Sequence, residues 1–339
     1  MEQEIRVIRL SEFTPGQLGD CFALLVAKDR TKSRDGKPYY RASFRESRRT
    51  VTAMIWSDSA WFSECETRWQ IGKFYKLRCR FTESQYGPQI ELDRIREVQE
   101  ADQADGFDAS DFYTKTRFNV DEMFAELLEI ANREISNAPL LRLVIDLLKE
   151  HVDDIKQIAA AARYHHAFAG GFLEHTLSVT RTAVYLANKY IDYYSNMQPP
   201  LSKSLVAAGA MLHDIGKVQE MQFQPQGSTY TAQGRLIGHI LLGRDMIRAK
   251  AESISDIDPE ILLRLEHIII SHQNLPEWGS PIAPHTPEAL LVYFSDDMDA
   301  KFHEMVMALD EGTVDEFTSR NNPLRRSIFR GLQRPETER

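Results

Sequence analysis

The segment AAGAMLHDIGK, residues 207–217, sets His213 beside Asp214 at the end of an apolar run and closes on Gly216 and Lys217. The run predicts a core helix, and neighbours on a helix point about 100° apart. An adjacent histidine and aspartate can therefore turn toward one ion only where the helix ends, and Gly216 supplies such an ending. A metal held by this pair needs further ligands.

The C-terminal part supplies them. Nine of the ten histidines lie between residues 165 and 303, among them His175 in GGFLEHT, His239 in LIGHI, and His267 and His272 in LEHIIISHQ. Carboxylates follow in SDDMDAK. Imidazole and carboxylate without thiolate suit Mn, Fe, Co, Ni or Zn better than Mg or Ca. Asp296 and Asp299 share a helix face near His303, whereas Asp297 is turned about 100° away from Asp296. Asp296 is the expected ligand and Asp299 its orienting neighbour. His267 and His272 lie about 140° apart on a regular helix, so both can serve one site only if the helix stops near Ser271. A lone histidine is ordinarily structural, and it is the ordered set that points to a metal.

The rest of the chain reads as a different architecture. Tyr40, Ala42 and Phe44 alternate with Arg41, Ser43 and Arg45, and Tyr75, Leu77, Cys79 and Phe81 alternate with Phe74, Lys76, Arg78 and Arg80, the period of half-buried strands. Runs near 19–28, 50–56 and 88–96 bring the strands to five, and Trp61, Phe62, Cys65 and Trp69 fall at helical spacing between the third and fourth. That order is expected of an OB-fold barrel. The division is an all-β OB barrel over 1–98, an acidic linker over 99–117, an all-α domain over 118–312 and a tail over 313–339. Pro139, Pro199, Pro200, Pro259 and Pro287 punctuate the helices, with Thr286 a start signal.

Composition is that of a folded protein, 42% hydrophobic and 27% charged. Cys21, Cys65 and Cys79 are odd in number and form no CxxC pair, so the sequence suggests neither a disulfide framework nor a thiolate zinc site. No leader-like apolar segment opens the sequence and no run is long enough to span a bilayer, so a cytoplasmic protein without a membrane partner is expected. Residues 1–98 hold 18 Lys and Arg against 14 Asp and Glu, while the remainder holds 23 against 36. The stretch KDRTKSRDGKPYYRASFRESRR, 28–49, interleaves nine cations with Tyr39, Tyr40 and Phe44. Cations follow a phosphate backbone and aromatics stack on bases, the pattern of a sequence-tolerant single-strand platform. Tyr40 and Phe44 alternate inward, which leaves Arg34, Lys37, Tyr39, Arg41 and Arg45 as the binding candidates.

HHAFAGGFLEHT, AGAMLHDIGK, TYTAQGRLIGHI and ISHQNLPEWGSPIAPHTPEALLVYFSDDMDAK resemble the successive motifs of the HD-domain phosphohydrolase superfamily. More narrowly, the chain from about 15 to 310 resembles the YhaM-type 3′→5′ exoribonucleases, in which an OB domain precedes an HD domain. The resemblance implies that His175, His213, Asp214 and Asp296 hold a core metal. It also implies that His239 and either His267 or His272 bring a second. Where that family shows SHHG this sequence has Ser271, His272, Gln273 and Asn274, which leaves coordination at the second ion open.

The implied cofactor is one or two divalent transition ions, Mn2+ ranked first. The implied reaction is hydrolysis of single-stranded RNA, with single-stranded DNA as a further substrate, to nucleoside 5′-monophosphates. Asp214, Lys217 and His239 are the expected catalytic groups. Lys217 either reaches the phosphate or stabilises a helix C-terminus. His165 and His166 are expected at the substrate pocket, with Glu174 supporting His175. Two other functions fit these residues: an HD hydrolase of small nucleotides or cyclic dinucleotides with a regulatory barrel, and a nucleic-acid-binding protein with a structural metal. Assembly into a homo-oligomer is left open.

Overall fold

A computed structural model of the chain describes residues 7–33, 35–46, 49–84, 87–161, 166–224, 228–310 and 315–332. Five strands, β1 (Leu18–Lys32), β2 (Pro38–Glu46), β3 (Arg49–Trp56), β4 (Phe74–Ser84) and β5 (Gly87–Glu97), close in the order β1-β2-β3-β5-β4. All neighbours are antiparallel except β3 and β5, which pair in parallel through Thr52 with Gln89 and Ala53 with Ile90. This is the OB arrangement, and closure removes the exposed sheet edges that invite aggregation.

Strand alternation sets which side chains fill the barrel. Tyr40, Ala42, Phe44, Tyr75, Leu77, Cys79 and Phe81 are buried, as their period requires. A slip of one residue would reverse every one of them. Between β3 and β4, α1 (Phe62–Thr67) buries Cys65 and ends before Trp69, which is buried just beyond it. The Lys28 ammonium donates to the carbonyls of Cys65 and Trp69 at 2.8 and 2.9 Å and so satisfies the end of this short helix.

The acidic stretch expected to link the domains is folded onto the barrel. Two 3-10 turns, Glu100–Asp105 and Ala109–Phe112, shape it. Phe107 packs on Phe22 and Phe112 on Phe74, with ring centroids 5.2 and 5.1 Å apart. Asp102, 2% exposed, accepts from both ends of the Arg96 guanidinium at 2.6 and 2.7 Å and from Lys76 at 3.3 Å. The first compact unit accordingly reaches Lys115.

The second unit is built from α2 (Val120–Glu134), α3 (Ala138–Glu150), α4 (Val152–Gln157), α5 (Gly171–Tyr193), α6 (Lys203–Leu212), α7 (Lys217–Glu220), α8 (Ala232–Ile237), α9 (His239–Ala251), α10 (Pro259–Ser271) and α11 (Pro287–Asp310). Asn119, Asn137, Ser202, Asp258 and Thr286 accept first-turn N–H groups, and Pro259 and Pro287 occupy first positions. Every residue of α6 from Leu205 to Leu212 is buried, so this helix is the core, packed against α5, α10 and α11. A two-residue ribbon, β6 (Met221–Gln222) with β7 (Thr229–Tyr230), departs from the all-α expectation. The tail returns over its described part: Ile328 is buried, and Arg330 donates to the carbonyls of Ala308 and Leu309 near the end of α11. No described helix is long and apolar enough to cross a membrane.

The Arg96 guanidinium, against the opposing effect of burial, together with the Gln99 N–H and Lys76, holds Asp102 far below the usual carboxylate range. Such a depressed group stabilises the fold above its ordinary pKa, and the contribution disappears as pH falls. Asp102→Asn should lower barrel stability by about 1–3 kcal/mol at pH 7. In urea unfolding the gap from the parent should narrow below about pH 4.

Candidate metal centre

Helix ends deliver most of the ligands. His213 is the C-cap of α6, with Asp214 next in the turn; His239 opens α9, and His272 is the C-cap of α10. His175 comes from the second turn of α5 and Asp296 from the middle of α11. His175 Nε2 lies 3.1 Å from Asp296 Oδ1 and 3.4 Å from His213 Nε2. Asp214 stands between two groups. Its Oδ2 is 3.4 Å from His213 Nε2, while its Oδ1 is 3.3 Å from His239 Nε2 and 3.5 Å from His272 Nε2. His175, His213 and Asp296 form one triad, and Asp214, His239 and His272 another, each with ligand atoms within 4.8 Å of one another.

The far nitrogen of each imidazole is held by an acceptor. His213 Nδ1 donates to the Ala210 carbonyl at 2.7 Å and His272 Nδ1 to that of Ile269 at 2.6 Å. His175 Nδ1 meets Asp299 Oδ2 at 2.7 Å, and His239 Nδ1 meets Glu220 Oε1 at 3.1 Å. With a proton fixed on each Nδ1, four Nε2 lone pairs point inward, the tautomer a metal requires. Asp214 Oδ1 and His272 Nε2 are buried without a hydrogen-bond partner among the described residues. An unpaired buried carboxylate oxygen facing an unpaired imidazole nitrogen is costly unless a cation sits between them. The donor set of nitrogen and carboxylate oxygen fits a divalent transition ion.

The charges agree with this. Burial alone would raise the Asp214 carboxyl, but Lys217 and His213 hold it well below the usual range. Lys217 Nζ is 2.6 Å from Asp214 Oδ2, and that charge, against burial, raises the lysine pKa. Burial disfavours a charged His175, yet hydrogen bonds to Asp296 and Asp299 lift it to about 9. Without a cation His175 therefore carries a second proton on Nε2, which a divalent ion held at this triad would displace.

Several expected residues sit elsewhere or act differently. His267 is not in the cluster: its Nε2 accepts from the His285 N–H at 2.8 Å, because α10 carries it round while His272 lies just past the helix end. His165 lies outside the described residues. His166 is 3.1 Å from Asp299 and borders a cavity of about 490 Å³ together with Glu174, Phe302 and His303. Lys217 instead lines a cavity of about 170 Å³ shared with Asp214, His272 and Asp296. It belongs to the single turn of α7, and its ammonium is held by Asp214. Asp299, expected to orient Asp296, bonds His175 and Ser178. Glu220 and Ser178 were not anticipated; Glu220, seven residues after His213, carried no distinguishing signal. Gln273 Nε2 stands 3.3 Å from His239 Nε2.

Gly216 has a different reason from the one expected. Its φ of −62° is ordinary for any residue. A Cβ there would fall 2.0 Å from the His239 carbonyl oxygen and 2.5 Å from the Gly243 nitrogen, so glycine lets the start of α9 close on the turn bearing Asp214. Gly216→Ala should push His239 off Asp214, lowering stability by about 1–3 kcal/mol in thermal unfolding. It should also weaken divalent-ion uptake in a calorimetric titration by about tenfold or more.

On the barrel, Lys37 and Arg41 are exposed, Tyr39 and Arg45 are half-buried, and Arg34 lies outside the described residues. Tyr39 pairs across the strands with Trp56, rings 4.6 Å apart, and Trp56 is 42% exposed. Trp56 extends the aromatic surface beyond the stretch that marked it. Three cations of that stretch are engaged by the fold: Lys28 at α1, Arg30 with Glu66 at 3.0 Å, and Arg49 with the carbonyls of Leu10 and Phe13.

The HD domain family matches residues 172–301, the span from α5 through the aspartates of α11. The second OB-fold domain of replication protein A from Methanococcus maripaludis, solved in solution, covers 28% of this chain and 96% of its own, at 16% identity and a TM-score of 0.22. The 3′-5′ exoribonuclease YhaM of Listeria monocytogenes is 32% identical over 316 residues, 92% of this chain and 94% of its own length. The protein of the same name from Listeria innocua is similar to the same extent. Likeness running through both units, and not through the metal-bearing half alone, places the chain in the YhaM 3′-5′ exoribonuclease family.

Proposed function

We propose that the protein is a metal-dependent 3′→5′ exoribonuclease that removes nucleoside 5′-monophosphates from single-stranded RNA, and from single-stranded DNA as well, in the cytoplasm. The observation that carries this is the pair of adjoining triads, His175, His213 and Asp296 beside Asp214, His239 and His272, opening on a cavity that also holds the Lys217 ammonium. The name and near full-length similarity of the Listeria relatives supply the direction and the polymer.

His175, His213 and Asp296 would hold one divalent ion and His239 and His272 the other, with Asp214 touching both; manganese is the proposed identity. Such ions lower the pKa of water and neutralise charge on a phosphate. The chain's own groups do the rest. Asp299 and Glu220 keep the protons of His175 and His239 on Nδ1. Glu220 turns His239 Nε2 toward Asp214, and with that nitrogen used as a ligand His239 would not also shuttle a proton. The Lys217 ammonium has three donors, one spent on Asp214, and the others are free to meet a phosphate oxygen as charge develops there. On the barrel, Lys37, Arg41, Tyr39 and Trp56 offer cations and aromatic faces to a strand, which would help position a distant phosphodiester.

With manganese and 5′-labelled single-stranded RNA, the parent should give a ladder that shortens from the 3′ end. Asp214→Ala should cut the rate more than about 100-fold, and Lys217→Ala by about 100- to 1000-fold in kcat. Intact RNA with hydrolysis of free nucleotides instead would identify a small-nucleotide hydrolase.

A further inference from the structure

The cavity at the metal centre has a wall that the chemistry described so far does not use. Trp278 and Tyr293 line it beside Asp214, Lys217 and Asp296. Trp278 is 49% exposed, yet it is firmly placed. It ends a one-turn 3-10 helix, Pro276–Trp278, and its N–H donates to the Leu275 carbonyl at 3.0 Å. The loop is cinched where the Gln273 N–H donates to Ser280 Oγ at 3.0 Å, with Ser280 fully buried. Gly279 turns the chain at φ 110°, a conformation that strains any residue with a side chain. The Lys301 ammonium lies 5.5 Å from the indole centroid and is tied to Asp297 at 2.7 Å. A large aromatic on a hydrogen-bonded loop at a cavity mouth, with half its surface left to solvent, is the arrangement of a stacking platform.

We propose that this cavity is the subsite for the base of the strand's terminal nucleotide, stacked on Trp278 with Tyr293 as the second aromatic wall; this rests on the phosphodiesterase reading above. At about 170 Å³ the cavity is smaller than the roughly 300–1,000 Å³ of sites that enclose a whole small-molecule ligand. It suits one ring system belonging to something that continues outside, as the last base of a polymer does. Asp214, His272 and Asp296 of the triads line this cavity and none of them lines the 490 Å³ cavity, so a phosphate held here meets the triads directly. Two aromatic faces read no base edge, so the stacking itself does not depend on base identity. Trp278 is a specificity residue for having a base rather than for which base.

Two RNA oligonucleotides of one sequence, one ending in an ordinary nucleotide and one in an abasic nucleotide, test this with the manganese-loaded full chain. The parent should remove the abasic end with kcat/KM about tenfold lower than the ordinary end. Trp278→Ala should lower the ordinary end to that level and leave the abasic end unchanged, while Trp278→Phe keeps most of the difference. Equal losses on both ends, or a base preference that survives Trp278→Ala, overturn the subsite and leave the nuclease standing. No cleavage of either oligonucleotide by the parent overturns the nuclease, and the subsite with it.

Discussion

The centre depends on one repeated interaction: a buried imidazole whose Nδ1–H is given away to an acceptor, so that Nε2 has nowhere to face but inward. It occurs at His175, His213 and His272, and again at the half-buried His239, around two carboxylates, Asp214 and Asp296. In bulk water either tautomer of a histidine is accessible; in this core the acceptors select one. The same burial that makes the unpaired Nε2 of His272 and Oδ1 of Asp214 costly without a cation is what makes the site selective for one. Stability and function therefore pull in opposite directions at this point of the fold, and the buried apolar run Leu205–Leu212 of α6 beneath offsets the cost.

Much of the ligand set was legible because its chemistry is uncommon at that density. Histidines and aspartates at HD, LIGHI, SHQ and SDD were singled out by type and order. Periodicity left His267 and His272 open, and only the point at which α10 ends decides between them. The orienting acceptors were harder to see for two reasons. Ala210 and Ile269 act through backbone carbonyls, which every residue has, and Glu220 looked like any charged residue of a short helix. Gly216 was noticed for the wrong cause, since a glycine permitting close approach and one permitting a left-handed turn look alike until the neighbouring chain is known.

The barrel shows the same division. Alternation in β2 and β4 revealed its interior, since period two survives translation into structure unchanged. The acidic stretch after it looked like a linker because its charges outnumber its aromatics. Asp102 is satisfied by Arg96 and Lys76, however, and Phe107 and Phe112 find an aromatic cluster on the barrel. Cation counting took no account of local partners: Lys28 and Arg49 donate to backbone carbonyls within the barrel unit, and Arg30 pairs at the surface with Glu66. Of the other described cations of 28–49, Lys32, Lys37 and Arg41 are exposed and Arg45 is half-buried, and the Tyr39–Trp56 pair lies on the same strands, which is the surface proposed for a single strand.

The central claim is that two ions share Asp214. Anomalous diffraction from manganese-soaked crystals of the full chain measures this directly. Two peaks are predicted, one against His175, His213 and Asp296 and one against His239 and His272, with the Asp214 carboxylate between them. A single peak, or none beside these side chains, would contradict it.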